Sequence, residues 1–231
     1  MCRPGAAGGN RHDALIKRQP AIMQGTENPH LIGDTAALAR LYGAPPLASL
    51  KKEIDHVHPH YRALIEAAPF VVLATSGPDG LDASPRGDQA GFVMVEDEKT
   101  LLLPDRRGNN RVDSLANIVT DPRVALLFLI PGIGETLRVN GRADISIDPA
   151  LLRRFAVDGR EPRTVLVVHV ETVYFQCSRA IVRARLWEPE TRIERSSLPS
   201  TGTILSALSN AAINAQTYDQ TQTERVKATL Y

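Results

Sequence analysis

The hydrophobic positions of the chain follow two patterns, and the change between them lies near residue 70. Before that point, apolar residues recur at the three- and four-residue intervals of one helix face. This spacing predicts a helix over residues 35–42 capped by Asp34, a second over 46–57 and a third over 61–67. Pro59 is expected to separate the second helix from the third.

From Phe70 onward, β-branched and apolar runs alternate with short turns such as SGPDG at residues 76–80. Strands are predicted over residues 70–75, 81–85, 91–95, 100–103, 124–130, 135–147 and 164–175, and helices over 110–119, 149–155 and 204–215. Residues 216–224 are polar and Thr-rich. So few helices between the strands predict a mainly β (α+β) fold, with a closed or half-closed antiparallel barrel rather than a doubly wound parallel sheet.

Three regions follow from these patterns. Residues 1–33 are basic and poor in acidic residues, which predicts a flexible leader, with Met23 as a rival initiator; a targeting segment is the alternative. Residues 34–190 form the predicted barrel domain with its N-terminal helices. Residues 191–231 are predicted to be a C-terminal helical extension or tail.

Composition narrows the function classes. The 231 residues include 27 basic and 26 acidic side chains, so a net charge of +1 gives no global attraction to nucleic acid or an anionic membrane. No apolar run is long enough to span a bilayer. Only two cysteines occur, Cys2 and Cys177, and a structural disulfide between them is not expected. These features predict a cytoplasmic location.

The most informative segment is LLLPDRRGNNRVDSLANI, residues 101–118. It predicts a strand, a Gly-containing loop and the start of a helix, where unpaired main-chain N–H groups and the helix dipole favour an anion. Arg106, Arg107 and Arg111 add positive charge, and an arginine fork can bond two phosphate oxygens. Asn109 and Asn110 offer further donors. The alternative is an ordinary helix-initiating loop with solvated arginines.

A second segment, DASPRGDQAGF at residues 82–92, places Ser84, Arg86 and Asp88 at the end of the preceding hairpin. If this strand pairs with the strand at residues 101–105, both segments form one site. The alternative is that Arg86 and Asp88 form a plain surface ion pair, which contributes little.

At these residues the sequence resembles a known family. ATSGPDGLDASPRGD, LLLPDRRGNNRVDSLANI and FLIPGIGETLRVNGRADI, in that order, resemble the pyridoxamine 5′-phosphate oxidase-like proteins, and within them the probable FMN-dependent enzymes without an assigned substrate. The resemblance runs from about Gly43 to Pro199. It implies a six-stranded antiparallel split β-barrel with flanking helices, which forms a homodimer with two FMN (flavin mononucleotide) sites at the interface.

The resemblance also implies residue roles. Asn110 and Arg111, with Asn109 beside them, match the place where the family holds the FMN phosphate. Arg138 lies on the strand that contributes to the partner's site, and Trp187 can close over the flavin from the second subunit. The segments that pass the flavin ring match Ser84, Pro85, Arg86, Gly87 and Asp88 on one side, and Leu103, Pro104 and Asp105 on the other.

Two departures from the family pattern bear on the substrate. The authentic oxidase has a lysine next to its phosphate-binding arginine, where this chain has Asn110 and Arg111. It also carries a C-terminal Arg-Leu-x-Pro motif, which RIERSSLP at residues 192–199 resembles only loosely and with different spacing. The resemblance therefore supports FMN more strongly than it supports a vitamin B6 substrate.

These features predict an FMN-dependent oxidoreductase that transfers a hydride between an unidentified small substrate and flavin N5. No catalytic residue is assigned, although Arg86 and Asp88 are the nearest candidates. The alternative is a non-catalytic flavin or haem carrier or sensor, because function depends on the site rather than the fold.

The remaining histidines and the cysteine that could bind a metal or react are better explained by structural roles. His56, His58 and His60 alternate in HVHPH, but capping or solvation is a better interpretation than a zinc site. His169 is predicted to be a satisfied core histidine. Cys177 is predicted to be a small buried hydrophobe at a strand end, rather than a reactive thiol.

Overall fold

The computed structural model describes Asn28 and residues 30–231, and contacts divide the chain into two units, Met1–Pro45 and Pro46–Tyr231. Most of the predicted leader therefore lies outside the described residues. In the first unit, helix α1 spans Thr35–Tyr42, as predicted. The carboxylate of Asp34 caps it by accepting from the N–H of Ala37 at 2.6 Å.

The second unit is built on one antiparallel sheet of seven strands in the order β2-β1-β5-β6-β7-β4-β3. The predicted mainly β fold with flanking helices is confirmed, but the sheet has seven strands rather than six. The short β3, which pairs only with β4, forms one edge of the sheet and overlaps the strand predicted at residues 91–95. The strands are β1 Phe70–Gly77, β2 Gly80–Gly87, β3 Met94–Asp97, β4 Thr100–Asp105, β5 Arg123–Leu129, β6 Thr136–Ser146 and β7 Thr164–Gln176.

The core follows from the two-residue alternation of these strands. On β1, Val71 and Leu73 are fully buried, and on β5 Leu126 and Phe128 are fully buried beside them. These strands pair in register, so the side chains meet on one face of the sheet.

Two predictions before the sheet need correction. The second helix, α2, spans only Leu47–Lys51 instead of reaching residue 57. Ile54 instead forms a β-bridge with Val173, donating its N–H to the carbonyl of Val173 and accepting from the Val173 N–H. Pro59 does not interrupt a helix but begins α3, Pro59–Ala67, because a first-turn proline has no N–H to satisfy.

The remaining helices are α4 Asp113–Thr120, α5 Pro149–Arg154, α6 Arg179–Ala184, α7 Thr201–Leu208 and α8 Ala215–Ala228, with 3₁₀ turns at Pro189–Thr191 and Arg195–Ser197. None of the helices in the described part of the chain is long and apolar enough to cross a membrane. α7 starts and ends earlier than the predicted helix at residues 204–215. α6 and α8 were not predicted as helices.

The α7–α8 pair is joined by one carboxylate. Asp219 accepts from the hydroxyl of Ser200 at 2.5 Å and from the N–H of Gly202 at 2.7 Å. Gly202 is required here, because a Cβ at this position would overlap the main-chain oxygen of Ala215. These contacts hold α8, a polar helix with no buried residues, against α7.

Candidate functional site

A cleft of about 470 Å³ opens where β2 and β4 end and where the loop before α4 begins. Residues 163–164, at the start of β7, and Leu230, beyond α8, complete its walls. Of the residues predicted to contact a cofactor, those that line it are Pro85, Arg86, Gly87, Pro104, Asp105, Asn109, Asn110 and Arg111. The two segments singled out in the sequence therefore meet in one cleft.

They do not meet by strand pairing. β2 is hydrogen-bonded only to β1, and β4 lies between β7 and β3, so the pairing considered for these segments does not occur. Instead, side chains at the end of β2 form ion pairs with side chains at the end of β4. Arg86 Nε lies 3.8 Å from Asp105 Oδ1, and Arg106 Nε lies 2.7 Å from Asp88 Oδ2. We call these two ion pairs the ionic seam.

The loop at the end of the cleft is shaped by side chain–main chain hydrogen bonds. Asn110, five residues after the end of β4, has a φ of 61°, a left-handed conformation that keeps the main chain out of the helix until α4 begins at residue 113. Asn109 accepts from the N–H of Arg111 at 3.0 Å. No side chain caps the first turn of α4, so its N–H groups are available to an anion.

Five arginines line the cleft: Arg86, Arg106, Arg107, Arg111 and Arg163. Arg163 Nη1 donates to Asn110 Oδ1 at 3.0 Å. Among the described residues, neither Arg107 nor Arg163 has a carboxylate within 4.0 Å of its guanidinium nitrogens. Burial raises the pKa of Asp105 above its ordinary value, against the opposing effect of Arg86 and Arg163. The cleft therefore holds a surplus of positive charge.

Ser84 lies behind the cleft in a small polar network. Its hydroxyl donates to Asp82 at 2.9 Å, and the buried Ser114 hydroxyl donates to the same carboxylate at 2.6 Å. The hydrogen bond from Ser114 holds the pKa of Asp82 below its ordinary value, despite some burial. Because Ser114 is in the first turn of α4, this network fixes the helix start against β2.

Asp88 anchors the rim of the cleft, and its side chain is only 4% exposed. Burial opposes its ionisation. Hydrogen bonds from the Tyr231 hydroxyl at 2.7 Å, the Gln89 N–H and Arg106 nevertheless hold the pKa of Asp88 below its ordinary value. The carboxylate thus fixes both Arg106 and Tyr231.

We expect Asp88→Asn to lower the free energy of unfolding by about 2 kcal/mol at pH 7, because Arg106 loses a charged, buried partner. The folded pKa of Asp88 lies below its unfolded value, so its contribution is complete above the unfolded pKa and is lost as pH falls through the folded pKa. Urea unfolding at pH 7 and pH 3 should therefore show a smaller difference between wild type and variant at pH 3. A pH-independent difference would contradict this assignment. Asp144→Asn, in an exposed pair with His169, should change stability by less than about 0.5 kcal/mol.

Five predicted site residues do not line this protomer's cleft: Ser84 and Asp88, described above, and Leu103, Arg138 and Trp187. Leu103 is fully buried in the core, directly before Pro104. Arg138 Nη1 donates to the hydroxyl of Tyr174 at 2.9 Å, and Trp187 Nε1 donates to the carbonyl of Ile133 at 2.7 Å. The roles of Arg138 and Trp187 toward a second protomer stay predictions.

The sequence reasoning missed several lining residues, among them Phe92, Leu115, Arg163 and Leu230. For Arg163 a signal existed: it directly precedes β7, whose first residue Thr164 pairs with Asp105. A positive charge at that position must lie near the end of β4. For Leu230 there was no local signal, because its position depends on how α7 and α8 pack.

The structure also shows where the histidines and the cysteine considered in the sequence analysis lie. His58 caps α3 by accepting from the N–H of His60 at 3.2 Å, which confirms the capping interpretation. His169 is exposed rather than in the core, because Val168 and Val170 take the inward positions of β7, and it bonds Asp144 at 2.9 Å. Cys177 is exposed rather than buried, since β7 ends at Gln176.

The antiparallel sheet and its arginine-lined cleft define a split-barrel protein with a site suited to an anionic ligand. The sequence profile of the pyridoxamine 5′-phosphate oxidase family matches residues 57–177, more than half of the chain. The chain therefore belongs to this family.

Solved structures similar to this chain include HupZ of Group A Streptococcus, with 18% identity over 52% of this chain and 94% of that chain, and a TM-score of 0.44. A putative pyridoxamine 5′-phosphate oxidase of Lactobacillus delbrueckii has 21% identity over 52% of this chain and 95% of that chain, with a TM-score of 0.41. General stress protein 26 of Bacillus anthracis has 18% identity over 49% and 88%, with a TM-score of 0.38. No curated protein matches the sequence.

Proposed function

We propose that this protein binds FMN in the arginine-lined cleft and acts as an FMN-dependent oxidoreductase on a small substrate. The observation that carries the proposal is the position of the loop at residues 106–111, at the end of the same cleft that Pro85–Gly87 and Pro104 line. A charged end beside a less charged wall suits a ligand with a phosphate and a planar ring. Family membership supports the same ligand.

The residues present fit FMN. At the charged end, Arg111 and Arg107 would hold the phosphate, with the uncapped first turn of α4. Along the wall, the side chains of Phe92 and Leu115 offer apolar contact. The cleft volume of about 470 Å³ lies in the range of small-ligand sites.

When bound, FMN supplies hydride transfer at its N5 atom. The chain's own residues bind and orient. Asp88 fixes Arg106 at the rim, and the Arg86–Asp105 pair holds the guanidinium of Arg86 at the cleft wall. Among the described lining residues there is no histidine or cysteine. The carboxyl among these lining residues, that of Asp105, pairs with Arg86, and we assign it no acid–base role. The role of the protein is to position the flavin and stabilise charge at its ring edge.

We further propose a homodimer in which Arg138 and Trp187 of one protomer complete the site of the other, in the cytoplasm. In one protomer both residues lie away from the cleft. The site would then be incomplete in a monomer. Size-exclusion chromatography with light scattering tests this state directly.

The experiment that tests the proposal is release of the cofactor from the purified native protein, followed by mass spectrometry. We expect FMN at close to one molecule per chain, with the absorbance of oxidised flavin. Bleaching by a nicotinamide donor, followed by reoxidation by an acceptor, should then separate an enzyme from a carrier. Failure to bind added FMN would contradict the proposal.

A Soret band in the same spectrum would indicate haem instead. Haem iron needs an axial histidine, cysteine, methionine or tyrosine. None of these four residue types is among the described residues that line the cleft. The lining therefore favours FMN over haem.

A further inference from the structure

Residues 229–231 follow α8, belong to no helix or strand and lie beside the cleft. Leu230 lines the cleft, yet 58% of its surface is exposed. A leucine in this position presents apolar surface to the space in which a ligand would lie, and a ligand that packs against it buries this surface. We call residues 229–231 the strap.

Tyr231 fastens the strap through contacts at the ends of two strands that border the cleft. Its hydroxyl donates to Asp88, directly after β2, at 2.7 Å. Its ring lies 5.5 Å from the guanidinium carbon of Arg106, directly after β4. Asp88 and Arg106 are themselves paired at 2.7 Å, so the tyrosine meets a fixed surface. Arg160 Nη1 also donates to the main-chain oxygen of Tyr231 at 3.2 Å. Tyr231 thus holds Leu230 at the cleft.

The strap can open while the sheet stays paired. α8 has no buried residues, and the carboxylate of Asp219 that joins it to α7 lies in the first half of the helix, away from the strap. Segments with few buried apolar contacts open locally at a low cost in free energy. The charge-assisted hydrogen bond from the Tyr231 hydroxyl to Asp88 is therefore the contact on which closure of the strap chiefly depends.

We propose that Leu230 contacts the bound cofactor and that Tyr231 is a positioning residue, so that the strap opens to admit FMN and closes over it. The identity of the ligand rests on the proposed function, in which FMN occupies the cleft. Tyr231 sets how often the strap is open, and it therefore governs both entry and exit of the ligand. Leu230 touches the ligand only after binding, and it therefore governs exit alone. Both residues lie outside the family match at residues 57–177.

The first test is Tyr231→Phe in the full chain, which keeps the ring beside Arg106 and removes only the hydroxyl. A weaker anchor opens the strap both before and after binding. We therefore expect the association and dissociation rates of FMN to rise together, each by about tenfold for the loss of a charge-assisted hydrogen bond, with a Kd that changes less than about threefold. Stopped-flow quenching of flavin fluorescence measures both rates.

Tyr218→Phe is the matched control. Tyr218 lies on α8, its ring is 4.2 Å from the guanidinium carbon of Arg225, and it does not line the cleft. Both rates should equal those of wild type. If Tyr231→Phe leaves the association rate unchanged, the strap does not open and close, and the proposal is overturned.

The second test, Leu230→Ala, separates contact with the ligand from closure of the strap. The anchor at Tyr231 stays intact, so the association rate should not change. The dissociation rate should rise about fivefold, because apolar surface is lost from the bound state. An unchanged dissociation rate would overturn the contact between Leu230 and the cofactor.

Failure of the proposed function has a different signature. If wild type does not bind FMN, the proposed function fails, and the strap is then tested in the FMN-free chain by hydrogen–deuterium exchange of residues 225–231. We expect Tyr231→Phe to speed exchange in this segment, since the last turn of α8 loses its anchor. Equal exchange in wild type and variant would show that the hydroxyl does not hold the strap.

Discussion

Arg111→Ala is expected to raise the Kd for FMN roughly 30-fold, which corresponds to about 2 kcal/mol for a charge-assisted hydrogen bond to a phosphate. Arg111 lines the charged end of the cleft, and its side chain is 76% exposed, so its charge is accessible to a ligand. Its internal partner is Asp113, at 2.8 Å. An exposed pair of this kind contributes little to folding, and the variant should fold normally.

Arg123→Ala is a closely matched control. Arg123 is also an exposed arginine, 68%, paired with an aspartate two residues away, Asp121. It lies at the start of β5 and does not line the cleft. Titration of the apoprotein with FMN, followed by quenching of flavin fluorescence, should show an unchanged Kd for Arg123→Ala. Unchanged affinity in Arg111→Ala would remove this residue from the phosphate site.

Gly141→Ala is expected to destabilise the protein by about 3 kcal/mol or more. Gly141 is buried on β6 at an irregularity in its pairing with β7. A Cβ there would overlap the main-chain oxygen of His169. Because the obstacle is main chain, no side-chain rotation can relieve it, and the two longest strands would have to separate locally.

Urea unfolding of the full chain, monitored by circular dichroism, measures this loss. Gly33→Ala provides the comparison, since a Cβ at Gly33 meets no atom within 4 Å. It should stay within about 0.5 kcal/mol of wild type. If Gly141→Ala unfolds at the wild-type midpoint, the close approach of β6 and β7 is not present in solution.

The sequence predicted those parts of the site whose geometry is local. The loop at residues 106–111 was identified because arginine, asparagine and glycine between a strand and a helix act through adjacent main-chain groups. Its left-handed Asn110 moved the helix start by three residues, from 110 to 113. The strands were found because alternation of apolar side chains is also local.

The predictions that were wrong or missing concern residues whose positions depend on contacts with residues far away in the sequence. Ile54 has helical neighbours in sequence, yet it pairs with Val173, more than one hundred residues away. α8 has a polar sequence with no apolar face, and its attachment depends on Asp219 reaching α7. No local pattern contains such partners, so neither Leu230 nor Tyr231 could be placed at the site from sequence.

The ionic seam has a consequence for how a ligand reaches the cleft. β2 and β4 are linked across the gap by Arg86–Asp105 and Arg106–Asp88 rather than by a main-chain ladder. Parting these two strands breaks side-chain ion pairs and leaves every ladder hydrogen bond of the sheet intact. The strand ends on either side of the cleft are therefore held together by side chains, and a ligand that entered between them would displace ion pairs rather than main-chain pairing.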